Sequence, residues 1–374
     1  MTSDLPLTDV RPAESRNRFG SAYRVLEAAI AERAFPGCAF GVTSGGKVIL
    51  QDALGYFTYD EHAPSVAPKT IYDVASLTKV VATTSAAMLL NQRGLLDLEM
   101  PVAELLPGFV VGRPPGNWAR HVTLRHLLAH TSGLPAYVEF FRTANTPAAL
   151  FRACLDLSFE TRPGERAEYS DPGFILLGKA IEVLTQEPLA VWVRKEIFYP
   201  LELSATGFNL PRYLAPGIPP SEEDIVFRHR TIQGEVQDEN ASVLGGVSGH
   251  AGLFSNVPDL LRFADEILRP LRAQPTPGLF EAATIERFGE RQQPAGSSRA
   301  LGWDTLSENS SSGRHFSSRS IGHLGYSGCS IWIDLAQDLA VVLLTNRTWP
   351  DRSNQAIREV RPAFHDAVRE ALKA

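Results

Sequence analysis

Hydrophobic and polar positions change their spacing along the chain, and the first change lies near the N-terminus. Residues 19–33 carry apolar side chains at the three- and four-residue spacing of an amphipathic helix. Two short apolar runs follow, at residues 38–43 and 47–51, and Gly45-Gly46 separates them. Because paired glycines favour tight turns between strands, this pattern predicts a β-hairpin after the first helix.

The long middle of the chain has mostly helical spacing. Predicted helical segments cover residues 76–91, 95–106, 122–135, 146–156, 173–186, 189–198 and 258–268. Residues 211–257 are rich in loops and contain a cluster of glycines. A loop region of this length is uncommon in a compact domain, which suggests that it has a function or covers a functional site.

Strand spacing returns near the C-terminus. Three strands are predicted, at residues 320–326, 328–334 and 339–346, and residues 354–372 predict a final helix. The preceding stretch, residues 294–318, is rich in serine and glycine and is interpreted as a mobile loop or an insertion.

The simplest arrangement joins the strands of both chain ends in one five-stranded antiparallel sheet, flanked by the two terminal helices. This is an α+β fold. We expect a sheet lobe made of residues 1–70 and 300–374, a mostly helical lobe made of residues 71–299, and an active site at their junction.

Composition and charge exclude several classes of protein. The 374 residues are 44% hydrophobic and 21% charged, with a net charge of −6, so nothing marks a surface for nucleic acid or for an anionic membrane. No run of about 18 apolar residues occurs, so no membrane span is expected. The first 12 residues lack the basic start and apolar core of a signal peptide, so we expect a cytoplasmic protein or a mature exported form.

Candidate chemistry begins with Ser76-Leu-Thr-Lys79. On a helix, residues three apart lie on one face, so the Lys79 amine can reach the Ser76 hydroxyl. Burial among Leu77, Val80 and Val81 would remove solvation from Lys79 and favour the neutral amine, which could take the serine proton. The local alternative is that Ser76 is only the N-cap of its helix.

Four further positions carry polar groups of interest. Tyr169 precedes Asp171-Pro172, where Asp171 is expected to cap the next helix. His126 and His130 have the i, i+4 spacing that some metal sites use. No glutamate stands between them and no third ligand has a diagnostic spacing, so packed or capping histidines are predicted instead.

Three motifs in this order resemble the serine β-lactamase and penicillin-binding-protein superfamily, and most closely its class C-like branch. They are Ser76–Lys79, Tyr169–Asp171 and His323-Leu-Gly325. Residues 126–135 and 169–178 also resemble that branch, and the resemblance extends over roughly residues 20–370. It implies the β-lactamase/transpeptidase-like fold.

The resemblance also implies roles for the site residues. Ser76 would be the nucleophile, Lys79 and Tyr169 would move its proton, and His323 would supply a hydrogen-bond donor and, when protonated, a positive field. Backbone N–H groups of Ser76 and Tyr326 would form the oxyanion hole. No metal and no organic cofactor are implied, and the substrate would be a small ester, amide or β-lactam.

Three departures from the family's motifs concern substrate binding. Asp171 stands where relatives have an asparagine that contacts the substrate, and Leu324 stands before Gly325 where relatives have a threonine or serine hydroxyl. His323 replaces a lysine. We therefore favour esterase-like hydrolysis of small esters or amides. A D-Ala-D-Ala carboxypeptidase, a weak β-lactamase and a penicillin-binding sensor without turnover remain alternatives, and the oligomeric state stays open.

Overall fold

The computed structural model describes residues 12–373. Residues 1–11, on which most of the signal-peptide expectation rests, lie outside the described residues. The α-helices are α1 Pro12–Arg18, α2 Gly20–Ala31, α3 Ser85–Gln92, α4 Val102–Leu105, α5 Leu124–Leu128, α6 Pro147–Leu155, α7 Asp171–Thr185, α8 Leu189–Val193, α9 Glu239–Val243, α10 Val257–Leu268, α11 Ala282–Gly289 and α12 Ile357–Lys373. Within the described chain, no helix is both long and apolar enough to cross a membrane.

The strands form three sheets. They are β1 Gly37–Ser44, β2 Lys47–Gly55, β3 Tyr72–Asp73, β4 Gly207–Phe208, β5 Glu222–Asp224, β6 Arg230–Ile232, β7 Leu253–Ser255, β8 Asp304–Thr305, β9 Ser320–Leu324, β10 Ser330–Asp334 and β11 Leu339–Thr345. The main sheet is antiparallel with the order β2-β1-β11-β10-β9-β8. Small sheets β3-β7-β4 and β5-β6 lie in the middle of the chain.

The predicted fold class is confirmed, because all five predicted strands join one sheet between the two chain ends. The sheet has one strand more than predicted. Asp304 and Thr305 pair with Gly322 and Ile321 of β9, inside the stretch interpreted as a mobile loop. A strand of two residues is too short to give a periodic pattern, which explains why the sequence did not predict it.

The main sheet separates two hydrophobic cores. On one face, α2 and α12 pack through aromatic contacts such as Tyr23 with Phe40 and Phe40 with Phe364, whose ring centroids are 5.3 and 5.7 Å apart. On the other face, α10 and the helices of the middle segment enclose a larger core. Strands β1 and β11 are buried on both faces and therefore have continuous apolar sequences. The division into lobes at residues 70 and 300 stays a prediction.

Candidate active site

Ser76 lies in a tight turn at the edge of the main sheet. Ala75–Leu77 form a single 3₁₀ turn, Lys79–Thr84 continue as a π-helical segment, and only Ser85–Gln92 are α-helical. Ala75 has a φ of 47°, in the left-handed region that non-glycine residues seldom adopt, and its N–H donates to the Asp73 carboxylate at 2.8 Å. The interpretation of Ser76 as an N-cap is wrong, because Val74 holds that position and no side chain caps the turn.

The Lys79 ammonium occupies a fully buried position beneath Ser76. Its nitrogen donates to Ser76 Oγ at 3.1 Å, to Asp171 Oδ1 at 2.7 Å and to the His250 carbonyl at 3.0 Å, so all three N–H bonds have acceptors. Burial favours the neutral amine, but Asp171 and Tyr169 outweigh it and raise the pKa of Lys79. The expectation that burial would neutralise Lys79 is therefore wrong, since it overlooked the carboxylate partner.

The Tyr169 hydroxyl donates to Ser76 Oγ at 2.8 Å. Two cations face its ring: Lys79 Nζ lies 4.8 Å and Arg299 Cζ 5.4 Å from the ring centroid. Burial nevertheless dominates and raises the pKa of Tyr169, so the phenol is protonated in the resting site. Ser76 Oγ thus accepts from an ammonium and from a phenol, and one proton must leave this cluster before either group can act as a base.

Asp171 has a different position from the one predicted. Ser170 caps α7 by accepting from the Gly173 N–H at 3.1 Å, and Asp171 is the first helical residue. Its carboxylate is therefore free to pair with Lys79 at 2.7 Å. The prediction of Asp171 as the N-cap is wrong, and its predicted role in substrate binding stays a prediction, although it also lines the cavity described below.

His130 is a site residue whose role the sequence did not reveal. Its ring stacks between Tyr169 and Phe174, at centroid distances of 4.8 and 5.0 Å. Its Nδ1 accepts from the Ser170 N–H at 3.0 Å and its carbonyl accepts from the Glu168 N–H at 2.8 Å. His130 therefore holds the backbone on both sides of Tyr169. The sequence alone did not indicate this role.

The i, i+4 histidine pair has two separate local roles. His126 completes the capping box of α5, where its Nδ1 accepts from the Thr123 N–H at 3.1 Å, and His130 is packed as described. Across residues 12–373, no group of three or more His, Cys, Asp or Glu side chains is placed to hold a metal ion.

His323 at the end of β9 faces the opposite side of the site. Its Nδ1 lies 2.8 Å from the Leu324 carbonyl, which can only accept, so Nδ1 carries the proton and Nε2 presents a lone pair. That Nε2 is buried and has no hydrogen-bond partner among the described residues. Burial, with Lys79 and Arg299 nearby, holds the pKa of His323 well below its ordinary value of 6.5. The expected positive field is therefore absent at neutral pH, a correction that follows from burial. The expected hydrogen-bond donor across the site is also wrong, because the one N–H of the neutral ring is directed to the Leu324 carbonyl.

The residues at the end of β9 form a hydrogen bond and a close contact with the segment that carries Ser76. Ser327 Oγ donates to the Asp73 carbonyl at 2.8 Å, and a Cβ added to Gly325 would collide with the Val74 carbonyl. This close approach requires glycine at position 325. The Tyr326 carbonyl accepts from Arg347 Nε at 2.8 Å, while its side chain is half exposed. The oxyanion hole at the Ser76 and Tyr326 N–H groups stays a prediction.

The predicted site residues meet at one cavity of about 1120 Å³. Its lining includes Ser76, Tyr169, Asp171, His323, Leu324, Gly325 and Tyr326. Lys79 lies behind Ser76. The wall also contains Arg299, which comes from the stretch interpreted as a mobile loop, where no sequence pattern indicated a site residue. The arrangement can supply a nucleophile, a proton-transfer pair and a strand edge beside a substrate.

Comparison with known proteins adds independent information. The family model named Beta-lactamase matches residues 23–363. The N-acetylmuramyl-L-alanine amidase of Bacillus subtilis (strain 168) is 31% identical over 347 residues, covering 84% of this chain and 77% of that protein. The "Putative D-alanyl-D-alanine carboxypeptidase" of Salmonella typhimurium is 30% identical, covering 84% of this chain and 79% of that protein.

A solved structure with the same fold is that of EstCE1, described as a hydrolase with promiscuous acyltransferase activity. It superposes with a TM-score of 0.77 at 22% identity, covering 96% of this chain and all of that chain. At this identity the likeness supports the fold alone.

Proposed function

The chain belongs to the β-lactamase family, and on this premise we propose that it is a serine hydrolase that acts through an acyl-enzyme on Ser76. The relatives that are at least 30% identical to the chain carry the names of an amidase and a putative D-alanyl-D-alanine carboxypeptidase. The observation that carries the proposal is the pair of hydrogen bonds to Ser76 Oγ, from Tyr169 at 2.8 Å and from Lys79 at 3.1 Å. A serine hydroxyl becomes an effective nucleophile only when an adjacent group takes its proton.

In the reactive form we assign the missing proton to Tyr169. Lys79 remains an ammonium because Asp171 holds it, so its charge stabilises a phenolate at Tyr169. As Ser76 Oγ forms a bond to the substrate carbonyl carbon, its proton passes to that phenolate. The intermediate then collapses, the bond to the leaving group breaks, and Tyr169 returns the proton to the departing alcohol or amine. Water attacks the acyl-enzyme by the same route and releases the acid.

The strand side of the cavity favours an uncharged group of the substrate. His323 is neutral, and the Leu324 side chain offers no hydroxyl to a carboxylate. Small esters and amides without a carboxylate at this position suit such a wall better than β-lactams do.

A second candidate is D-Ala-D-Ala carboxypeptidase activity. Arg347, Arg358 and Arg361 line the same cavity, and none of them forms an ion pair with a carboxylate in the part of the chain that the structure describes. Guanidinium groups without an anionic partner favour a substrate that brings its own carboxylate. A panel of p-nitrophenyl esters, a chromogenic cephalosporin and D-Ala-D-Ala peptides separates the two candidates.

The mechanism is tested by Ser76→Ala with p-nitrophenyl acetate and a fluorophosphonate label read by mass spectrometry. We expect turnover and labelling to disappear in this variant, while Ser204→Ala, which alters an exposed serine, retains both. Undiminished turnover by Ser76→Ala would refute the mechanism. A wild-type protein that is acylated by penicillin and stays blocked would instead support the sensor alternative.

A further inference from the structure

The loop region 211–257 contains a rigid hairpin at the mouth of the cavity. Strands β5 and β6 form it, and the Asp224 carboxylate accepts from the N–H groups of Val226, Phe227 and Arg228 at 3.0, 2.8 and 3.1 Å. Burial favours the neutral acid, but Arg228 and these N–H groups outweigh it and lower the pKa of Asp224 to about 2. The turn at residues 225–229 is therefore held by a buried, charged centre.

A chain of hydrogen bonds connects this hairpin to the nucleophile. The Arg228 guanidinium donates to the carbonyls of Val236 and Gln237 at 2.6 and 2.5 Å. The Gln237 N–H donates to Asp73 Oδ2 at 2.7 Å, and the other oxygen of Asp73 accepts from the N–H of Ala75, next to Ser76. These hydrogen bonds link the hairpin to the segment that carries Ser76.

Two neighbouring apolar side chains in the turn of this hairpin face solvent. Ile225 is 78% exposed and Val226 is 51% exposed, and both line the cavity that contains Ser76. Tyr137 and Tyr326, each about half exposed, line the same cavity. We call these four side chains the apolar rim. Other exposed apolar side chains, such as Val191 and Tyr199, do not belong to the cavity lining.

We propose that the apolar rim binds an aliphatic or aromatic part of the substrate, so that the natural substrate is an ester or amide with a sizeable apolar group. This inference rests on the proposed function and narrows its substrate class. Folding of this turn does not require isoleucine and valine to be exposed to water. Removal of such apolar side chains from water by a ligand bound in the same cavity lowers the free energy. The large cavity leaves room for such a group.

The experiment compares p-nitrophenyl acetate, butyrate, hexanoate and octanoate as substrates for the wild type, for Ile225→Ser/Val226→Ser and for Val191→Ser. Val191 is the matched control, because it is also 51% exposed but lies outside the cavity. For the wild type, kcat/KM should rise about threefold to fourfold per added methylene until the rim is covered. In the double variant the ratio of octanoate to acetate should fall at least tenfold, and in Val191→Ser it should not change.

Two results would overturn the inference and leave the proposed function intact: acetate turnover without any chain-length preference in the wild type, or a preference that the double variant retains. A change of oligomeric state in the double variant, measured by light scattering, with the chain-length preference unchanged, would assign the rim to contact with a second copy and also overturn it. Absence of ester turnover in the wild type would refute the proposed function but would not by itself overturn the inference. In that case, the affinity for n-alkylboronic acids is measured instead. An affinity that does not rise with chain length would overturn the inference.

Discussion

The two sides of the cavity differ in how completely their polar groups are paired. On the helix side, formed by Ser76, Lys79, Tyr169 and Asp171, the ammonium has three acceptors and the phenol donates to the serine. On the strand side, His323 Nε2 has no partner among the described residues and Leu324 offers only carbon atoms. Buried polar groups in proteins are usually paired. We therefore call the helix side complete and the strand side incomplete, because the polar groups of the first are paired with one another and the buried Nε2 of His323 is not paired among the described residues.

This difference explains why the reaction type is better defined than the substrate. The proposed proton transfer depends on groups that already form hydrogen bonds with one another in the structure. The proposed choice of substrate depends on Leu324 and on arginines of the cavity wall. Arg347 and Arg361 donate to backbone carbonyls, and Arg358 has no ion pair among the described residues. Substitutions of Lys79 and Tyr169 test the helix side, and substitutions of Leu324 test the strand side.

The largest effect is expected when Lys79 is replaced. Lys79→Met removes the cation that would stabilise the Tyr169 phenolate, so kcat/KM should fall toward the upper end of a 10²- to 10⁴-fold range. It also leaves the largely buried Asp171 carboxylate without its partner, which should lower the free energy of unfolding by about 3 kcal/mol. Ester turnover and urea denaturation measure the two losses.

The double variant Lys79→Met/Asp171→Asn separates the two roles of Lys79. Its unfolding free energy should recover, because the unpaired charge is gone, but its activity should not. Recovery of turnover in this variant would show that Lys79 acts only by neutralising Asp171, and the helix side would then not be the proton-transfer apparatus.

The pH dependence tests the assignment of the base to Tyr169. Burial raises its pKa above the ordinary value of 10, and the reactive form lacks that proton, so the reactive fraction grows as pH rises. We expect kcat/KM to keep rising through pH 9. Tyr169→Phe should lower kcat/KM about 10²-fold and abolish this alkaline rise, whereas Tyr199→Phe, at a tyrosine that is 82% exposed, should keep it. A profile in Tyr169→Phe with the same alkaline rise would assign the base to another group.

Much of the fold and the main site residues could be predicted, because the signals for them lie in short stretches of sequence. Each strand of the main sheet except β8 is long enough to show its own period, and each motif carries its chemistry within three or four residues. Ser76, Tyr169 and His323 were found together, from three short motifs in the order that the family resemblance implies, and the fold brings all three to the cavity.

What the sequence did not predict depends on distant contacts. The partner of Lys79 is 92 residues away, and Ser170 and Asp171 are equally good N-caps, so nothing local showed which of them would pair with the lysine. The neutral state of His323 follows from burial beside Lys79 and Arg299, which only the assembled site produces. The same holds for His130, whose role is visible only once Tyr169 packs on it.

The smallest expected effect concerns the incomplete strand side. Leu324 is half-buried and lines the cavity beside His323. Leu324→Thr adds a hydroxyl that can donate to a carboxylate, and a hydrogen bond to a charged group corresponds to about tenfold or more in affinity. The ratio of cephalosporin to p-nitrophenyl acetate turnover should therefore rise about tenfold, as measured by kcat/KM for each substrate.

Leu324→Val is the matched control for that variant, because valine has the branched shape of threonine without the hydroxyl. If the ratio rises equally in both variants, the change of volume rather than the donor explains it, and the strand side would be limited by space. If it rises only with threonine, the missing donor at position 324 is what separates this site from one that holds a substrate carboxylate. Since the helix side is unchanged in both variants, acetate turnover should respond much less than cephalosporin turnover does.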